Sequence, residues 1–335
     1  MPILPPNPWK ELEDTEFWDD FAIQSRLKSH IKKANKWGLI FRDTVREITR
    51  MNPFHHHGVN HLSPSAVNMF TGSPSAWIAK ALMGHKFSAG AAAWRGIAVE
   101  DALVAYAFYN ATPEEAIDQA YEKFDKMMSG LAINDATNKE RDRIPRYVLN
   151  TIDAWIELTT NFPVGELQAP PLGQGQWEVG LPCRFGEHQD DRVDVIGYLD
   201  FLFQNDDTFH IVDLKTTARI PSEMPDGHAL QASFYKRALG KPCQVHFVYT
   251  SPKEENKPNA FHIITLDDET YQRELKRMKD TITRMSNLLR LSDNPFVLAD
   301  AIPHDESSFY WSGEPTLEQI VNDVKTAIEN TEEEK

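Results

Sequence analysis

The chain has 335 residues, 41% of them hydrophobic and 25% charged, with a formal net charge of −15. That is length enough for one elaborated domain or two, with the make-up of a water-soluble globular fold. The acidic balance excludes a protein that coats nucleic acid through bulk positive charge, although 35 lysines and arginines still allow a local basic channel. Two cysteines, Cys183 and Cys243, are too few for a disulfide framework or for the four thiolates of an iron–sulfur cluster. The expectation is a reduced, cytoplasmic protein. The opening stretch MPILPPNPWKELEDTEFW lacks the basic and apolar regions of a secretory signal, and no run of about 18 apolar residues is present to span a membrane.

In chain order, residues 1–8 are proline-rich and read as extended, and the pattern from Trp9 to about Met51 is helical. NPFHHHGVNH (52–61) reads as a loop. LSPSAVNMF (62–70) reads as a helix with Ser63 as N-cap and Pro64 at its first position, and GSPSAWIAKALM (72–83) repeats the signature with Ser73 and Pro74. A long helix is expected within 88–110, another from Thr112 or Pro113 to about Met128, and one more over 138–161. After FPVGELQAPPLGQGQ the pattern changes. Strands are expected at 177–183, 193–204, 209–215, 243–250 and 260–266, with helices at 226–239 and 267–291. The tail NTEEEK reads as a frayed acidic end.

The chemistry-bearing residues fall in the strands. If 177–215 is a three-stranded meander, with Asn205, Asp206 and Asp207 in its second turn, Asp200 lies late in the middle strand. Asp213 and Lys215 then share a face of the third, and Leu214 points to the opposite layer. Two half-buried carboxylates repel unless a cation neutralises them. A hard divalent ion such as Mg²⁺ takes one or two carboxylates and a carbonyl, here that of Leu214. Beside it, Lys215 can hold a water, lower its pKa or stabilise a pentavalent phosphate. The apolar setting of HIVDLK argues against an ordinary surface ion pair. His55, His56, His57 and His61 lack zinc-site spacing and read as a solvated loop, while Ser63 and Ser65 read most simply as helix caps. Lys80, Lys86, Arg219, Lys236 and Arg237 are candidates to line a nucleic-acid path, and Thr216 and Thr217 to bond phosphate.

These elements together resemble the PD-(D/E)XK nuclease superfamily, in its RecB-like and phage-exonuclease branch. Gly197 and Asp200 match G-x-x-D, Asp213 and Lys215 match D-x-K, and Gln231 and Tyr235 match Q-x-x-x-Y on the following helix. Upstream, LSPSAVNMFTGSPSAW resembles the branch's helical entry through Ser63, Ser65 and Phe70, with Ser73 where iron–sulfur members carry cysteine. The chain thus looks like the cluster-free type. Arg95, Gly96 and Glu100 match R-G-x-x-x-E, the glutamate form common in viral exonucleases. The resemblance runs over roughly residues 62–250.

The resemblance implies a restriction-endonuclease-like α/β core, a mixed central sheet flanked by helices, with a large helical N-terminal half. It divides the chain into an N-terminal helical extension (1–61), a nuclease core (62–266), and C-terminal helices with an acidic tail (267–335). It implies Mg²⁺, with Mn²⁺ as a substitute, held by Glu100, Asp200, Asp213 and the Leu214 carbonyl. Lys215 and Gln231 complete the catalytic set, and Arg95, Ser65, Thr216 and Tyr235 contact DNA. The implied activity is exonucleolytic degradation of linear double-stranded DNA in phage recombination, replication or host DNA breakdown. The setting is then the host cytoplasm, with a single-strand annealing protein and a ring of identical subunits as partners, and no membrane. A structure-specific endonuclease, a non-catalytic DNA- or protein-binding module of the same fold, and an unrelated α/β protein remain as alternatives.

Overall fold

The computed structural model describes residues 52–333 apart from 88, 130–133, 172–174, 189, 254–259 and 312–314. The readings made for 1–8 and 9–51 lie outside the described residues.

The chain first lays down helices whose starts are set by side-chain caps. Asn52 accepts from the Phe54 and His55 amides and opens a short helix, α1 (Pro53–His56). A two-residue strand, β1 (His61–Leu62), follows. α1 and the first residue of β1 fall in the stretch read as a loop, and Leu62 at the start of the one read as a helix. The Asn–Pro pair is itself a cap signature, and β1 exists only through its pairing with a distant strand, which local sequence cannot reveal. Ser63 and Ser73 cap α2 (Pro64–Gly72) and α3 (Pro74–Ala81), accepting from the Ala66 and Ala76 amides. Next come α4 (Ala91–Tyr109) and α5 (Pro113–Met128), the latter with a full capping box between Thr112 and Glu115. The single helix expected over 138–161 is two, α6 (Asp135–Asp142) and α7 (Ile144–Asn161). Pro145 has no amide hydrogen with which to continue the α6 ladder, so the chain restarts there.

Two sheets follow. The five-stranded one has the order β2 (Glu166–Gln168), β5 (Phe201–Asn205), β6 (Thr208–Thr216), β7 (Cys243–Thr250) and β8 (Phe261–Thr265). The three-stranded one is β1, β4 (Arg192–Leu199) and β3 (Trp177–Arg184). β6 and β7 are parallel and joined by α8 (Asp226–Leu239); the β5–β6 hairpin turns through Asp206, whose φ is +48°. α9 (Asp268–Leu289), α10 (Pro295–Asp300), a 3₁₀ turn (Phe309–Trp311) and α11 (Leu317–Glu333) complete the order.

The expected strand 193–204, and with it the meander, is corrected. The chain bends at Asp200, so that β4 pairs with β3 and β1 while β5 pairs with β6. Strand-forming residues on both sides of Asp200 hide the break; the one trace of it is that β4 alternates buried and exposed residues while Phe201, Leu202 and Phe203 in β5 are all buried, as in a strand covered on both faces. One face of the larger sheet offers Phe201, Phe203, Val212, Leu214 and Val248 to an apolar core built with α4, α5 and α7. The other face meets α8, and α9 packs along α8.

Candidate active site

Strand periodicity sends Asp213 and Lys215 to the α8 face of β6, while Leu214 joins the core on the other side. The Lys215 ammonium forms an ion pair with Asp213, whose side chain is 1% exposed. Asp200 stands at the bend, one register step beyond the Phe201–Val212 pair and so opposite Asp213. Its Oδ2 accepts from the Leu214 amide at 2.9 Å. Glu100 reaches the cluster from α4 and accepts from Gln176 Nε2 at 3.1 Å. α4 lies close to the end of β6, because a Cβ on Gly96 would come within 3.2 Å of Thr216 Oγ1.

Behind this, Gln231 Nε2 donates to the Tyr235 hydroxyl at 2.7 Å, which donates to the Tyr198 carbonyl at 2.7 Å. That chain ties α8 to β4 two residues before Asp200. Gly197 permits the approach, since a Cβ there would stand 2.7 Å from the Phe234 ring and 3.0 Å from the Tyr235 ring.

The electrostatics are those of crowded carboxylates. Burial, and then the charges of Asp213 and Glu100, hold Asp200 well above the ordinary carboxylate range. Burial and Asp213 raise Glu100. Burial raises Asp213 too, against the pull of Lys215. Lys215 is opposed by its own burial, but Asp213, Asp200 and Glu100 outweigh it and raise its pKa. Neither oxygen of Asp213 accepts a hydrogen bond of good geometry, although both are buried. Among the described residues no three His, Cys, Asp or Glu side chains converge tightly enough to enclose a cation as they stand. The donor set nevertheless fits a hard divalent ion: mutually repelling, buried carboxylates whose charge the single ammonium of Lys215 does not balance.

Several expected site residues are placed otherwise. Arg95 was expected to contact phosphate, but it is 4% exposed, paired with Glu140, stacked 4.1 Å over Tyr147 and donating to Thr216 Oγ1 at 3.3 Å. A guanidinium so enclosed braces Thr216. The Tyr235 hydroxyl donates to the Tyr198 carbonyl and lies beside Asp213, and Ser65 bonds Ser63 at 2.8 Å. Lys236 is paired with Asp268 at 2.8 Å. The histidines of the expected loop hold α1 down: His56 bonds Asp293 at 2.8 Å and His57 the Leu289 carbonyl at 2.9 Å. Sequence reading missed Gln176, Glu140 and His228. For the last, a signal existed, namely its place three residues before Gln231 on one helical face.

A family model described as the PD-(D/E)XK nuclease superfamily matches residues 61–298. The chain belongs to the PD-(D/E)XK nuclease superfamily. Among solved structures, the crystal structure of SSO0001 is similar over 63% of this chain and 84% of that one, at 14% identity and a TM-score of 0.27, a likeness too slight to carry an argument. No curated protein matches. This PD-(D/E)XK protein is thus a nuclease of a superfamily that generally uses divalent metals, and its mixed sheet flanked by helices is the restriction-endonuclease-like α/β fold. Among the described residues no helix is long and apolar enough to cross a membrane.

Proposed function

We propose that the protein is a Mg²⁺-dependent deoxyribonuclease that degrades linear double-stranded DNA exonucleolytically. The observation that carries this reading is the meeting of Asp200, Asp213 and Lys215 at the bend where the two sheets part, with Glu100 near enough to feel the Asp213 charge. A divalent cation held by Asp200, Asp213, Glu100 and the Leu214 carbonyl, Mg²⁺ or Mn²⁺, would neutralise the carboxylates and polarise the phosphate. Lys215 is the chain's own N–H donor toward the attacking water and toward the charge that grows on phosphorus. As the water oxygen bonds phosphorus, the bond to the leaving sugar oxygen breaks. The water's proton passes to solvent, and the leaving oxygen takes one from solvent. Gln231, anchored on Tyr235, positions Lys215 or the phosphate.

Glu100 in the R-G-x-x-x-E arrangement supports the exonuclease form and a phage setting. There such an activity feeds single-strand annealing recombination or recycles host DNA in the host cytoplasm. An annealing protein and a ring of identical subunits are the proposed partners.

A time course on linear and on closed circular double-stranded DNA, in Mg²⁺ and in EDTA, tests the reading. Loss of linear DNA alone, in Mg²⁺ alone, is the expected result. Cutting of the circle replaces the exonuclease with an endonuclease, and no cleavage of either in Mg²⁺ or Mn²⁺ overturns the catalytic reading.

A further inference from the structure

His228 enters none of the motifs, yet it stands on the same face of α8 as Gln231 and Tyr235. Its imidazole stacks on Phe247 and on Tyr249, with ring centroids 5.6 Å away in both cases. Those two rings flank Lys215. Tyr249 is the register partner of Lys215 on β7, and the Lys215 ammonium lies 5.2 Å from the Phe247 centroid. His228 therefore belongs to the wall of the candidate site.

The state of the ring follows from its neighbour. Tyr249 is 1% exposed, and among the described residues its hydroxyl has one hydrogen-bond partner, His228 Nδ1, at 2.9 Å. A buried phenol hydrogen needs an acceptor. Nδ1 supplies the lone pair, which leaves the ring proton on Nε2. Burial, reinforced by the Lys215 cation, lowers the His228 pKa to about 4, so near pH 7 the ring is neutral with a single N–H. Nε2 has no protein partner among the described residues, and it is not among the buried unsatisfied atoms, so it is open to solvent.

We propose that His228 is a substrate-contacting residue whose Nε2–H donates to a non-bridging phosphate oxygen of DNA beside Lys215, with Tyr249 fixing the tautomer that makes this possible. The proposal rests on the nuclease reading above, so its test has a readout besides cleavage. The full chain is compared as wild type, His228→Phe, His228→Gln, Tyr249→Phe and the double variant His228→Phe/Tyr249→Phe. Phenylalanine keeps the stacked ring and removes the donor; glutamine keeps a donor near the Nε2 position.

His228→Phe is expected to melt within a few degrees of wild type and to lose about 10- to 100-fold in kcat/KM on a linear duplex, the range for one hydrogen bond to a charged group. His228→Gln recovers much of the loss. Tyr249→Phe falls less in the same direction, and the double variant is no worse than His228→Phe, because both changes act on one contact. In ¹⁵N-histidine NMR of the metal-free wild type, His228 is expected as the Nε2–H tautomer, its Nε2 resonance moving when a short duplex is added in EDTA. A folded His228→Phe that cuts with wild-type kcat/KM, or an Nδ1–H tautomer, overturns the proposal. If the wild type cuts no DNA, the nuclease reading fails by itself, and the response of the Nε2 resonance to the duplex still decides this one.

Discussion

At the scale of single residues, the cluster sets stability against chemistry. Lys215→Ala leaves the Asp213 carboxylate buried without its ion pair. The folded state should lose about 3–5 kcal/mol in EDTA, the usual cost of breaking a buried pair from one side. Cleavage should fall by about 10²–10³-fold, as when one donor to a developing charge is removed. Circular dichroism and chemical denaturation separate the two effects. Asp200→Asn should do the opposite to stability, since the asparagine oxygen still accepts the Leu214 amide while a repelled charge disappears. Asp200 has its folded pKa raised, first by burial. Its contribution is therefore complete below the unfolded value of about 4 and is lost as pH climbs through the folded one. In EDTA the Tm of Asp200→Asn should exceed that of wild type by a margin that grows from pH 4 toward neutrality. A margin that does not change with pH would dismiss the electrostatic explanation. That Asp213 and Lys215 share one face of β6 was legible in sequence, because a strand has period two and the flanking residues are apolar. The Glu140 partner of Arg95 was not, since nothing local links residues 45 positions apart.

At the scale of elements, α8 is the part whose placement decides the site. It presents His228, Gln231 and Tyr235 together and is pinned from three sides. Asn68 donates to the Gly227 carbonyl at 2.8 Å, Arg277 bonds the Asp226 carbonyl at 2.5 Å, and Tyr235 bonds Tyr198. Gly197→Ala puts a methyl into the Phe234 and Tyr235 rings, which are packed and cannot swing aside. A cost of about 1–3 kcal/mol is expected, typical of overpacking. Cleavage should drop by more than that instability alone would cause, because α8 must lift away from β4. Comparing residual activity with the folded fraction at several urea concentrations checks this. The bounds of α8 were read correctly as a helix between two strands, and α2, α3 and α5 announced themselves through Ser–Pro or Thr–Pro starts. The split at Asp200 was not legible, because strand-forming residues lie on both sides of it with no proline or glycine turn between them. Their separation depends on which partner strands arrive, and sequence spacing does not encode that.

For the molecule as a whole, an acidic chain must meet a polyanion through local contacts, so burial matters more than total charge. The two cysteines report on that burial. Cys183 on β3 and Cys243 on β7 are both buried; desolvation pushes their thiols up to about 12 and about 11. Thiolate is the reactive form. A thiol reagent at neutral pH should therefore modify the folded protein only as fast as it opens, and both sites rapidly in urea. Fast modification of Cys183 in the native state would mean that the smaller sheet is loosely held against α8. The α/β class and the order of most elements were visible in the sequence, because helices and strands differ in period. The existence of two sheets rather than one was not, since it is a property of pairing.

That division makes the β3–β4 hairpin a lever. Asp200 is its fulcrum, and the Leu214 amide is the latch that sets its rest position. At the far end of the arm Asp191, beside the start of β4, is tied to Arg290 after α9 at 3.0 Å. A tilt of that arm would change the gap between Asp200 and Asp213 and the fit of an ion held there. If the proposed metal site is right, Arg290→Ala, a full strand's length from the chemistry, should weaken the apparent affinity for the metal, raising the Mg²⁺ concentration needed for half-maximal cleavage while DNA binding in EDTA stays the same.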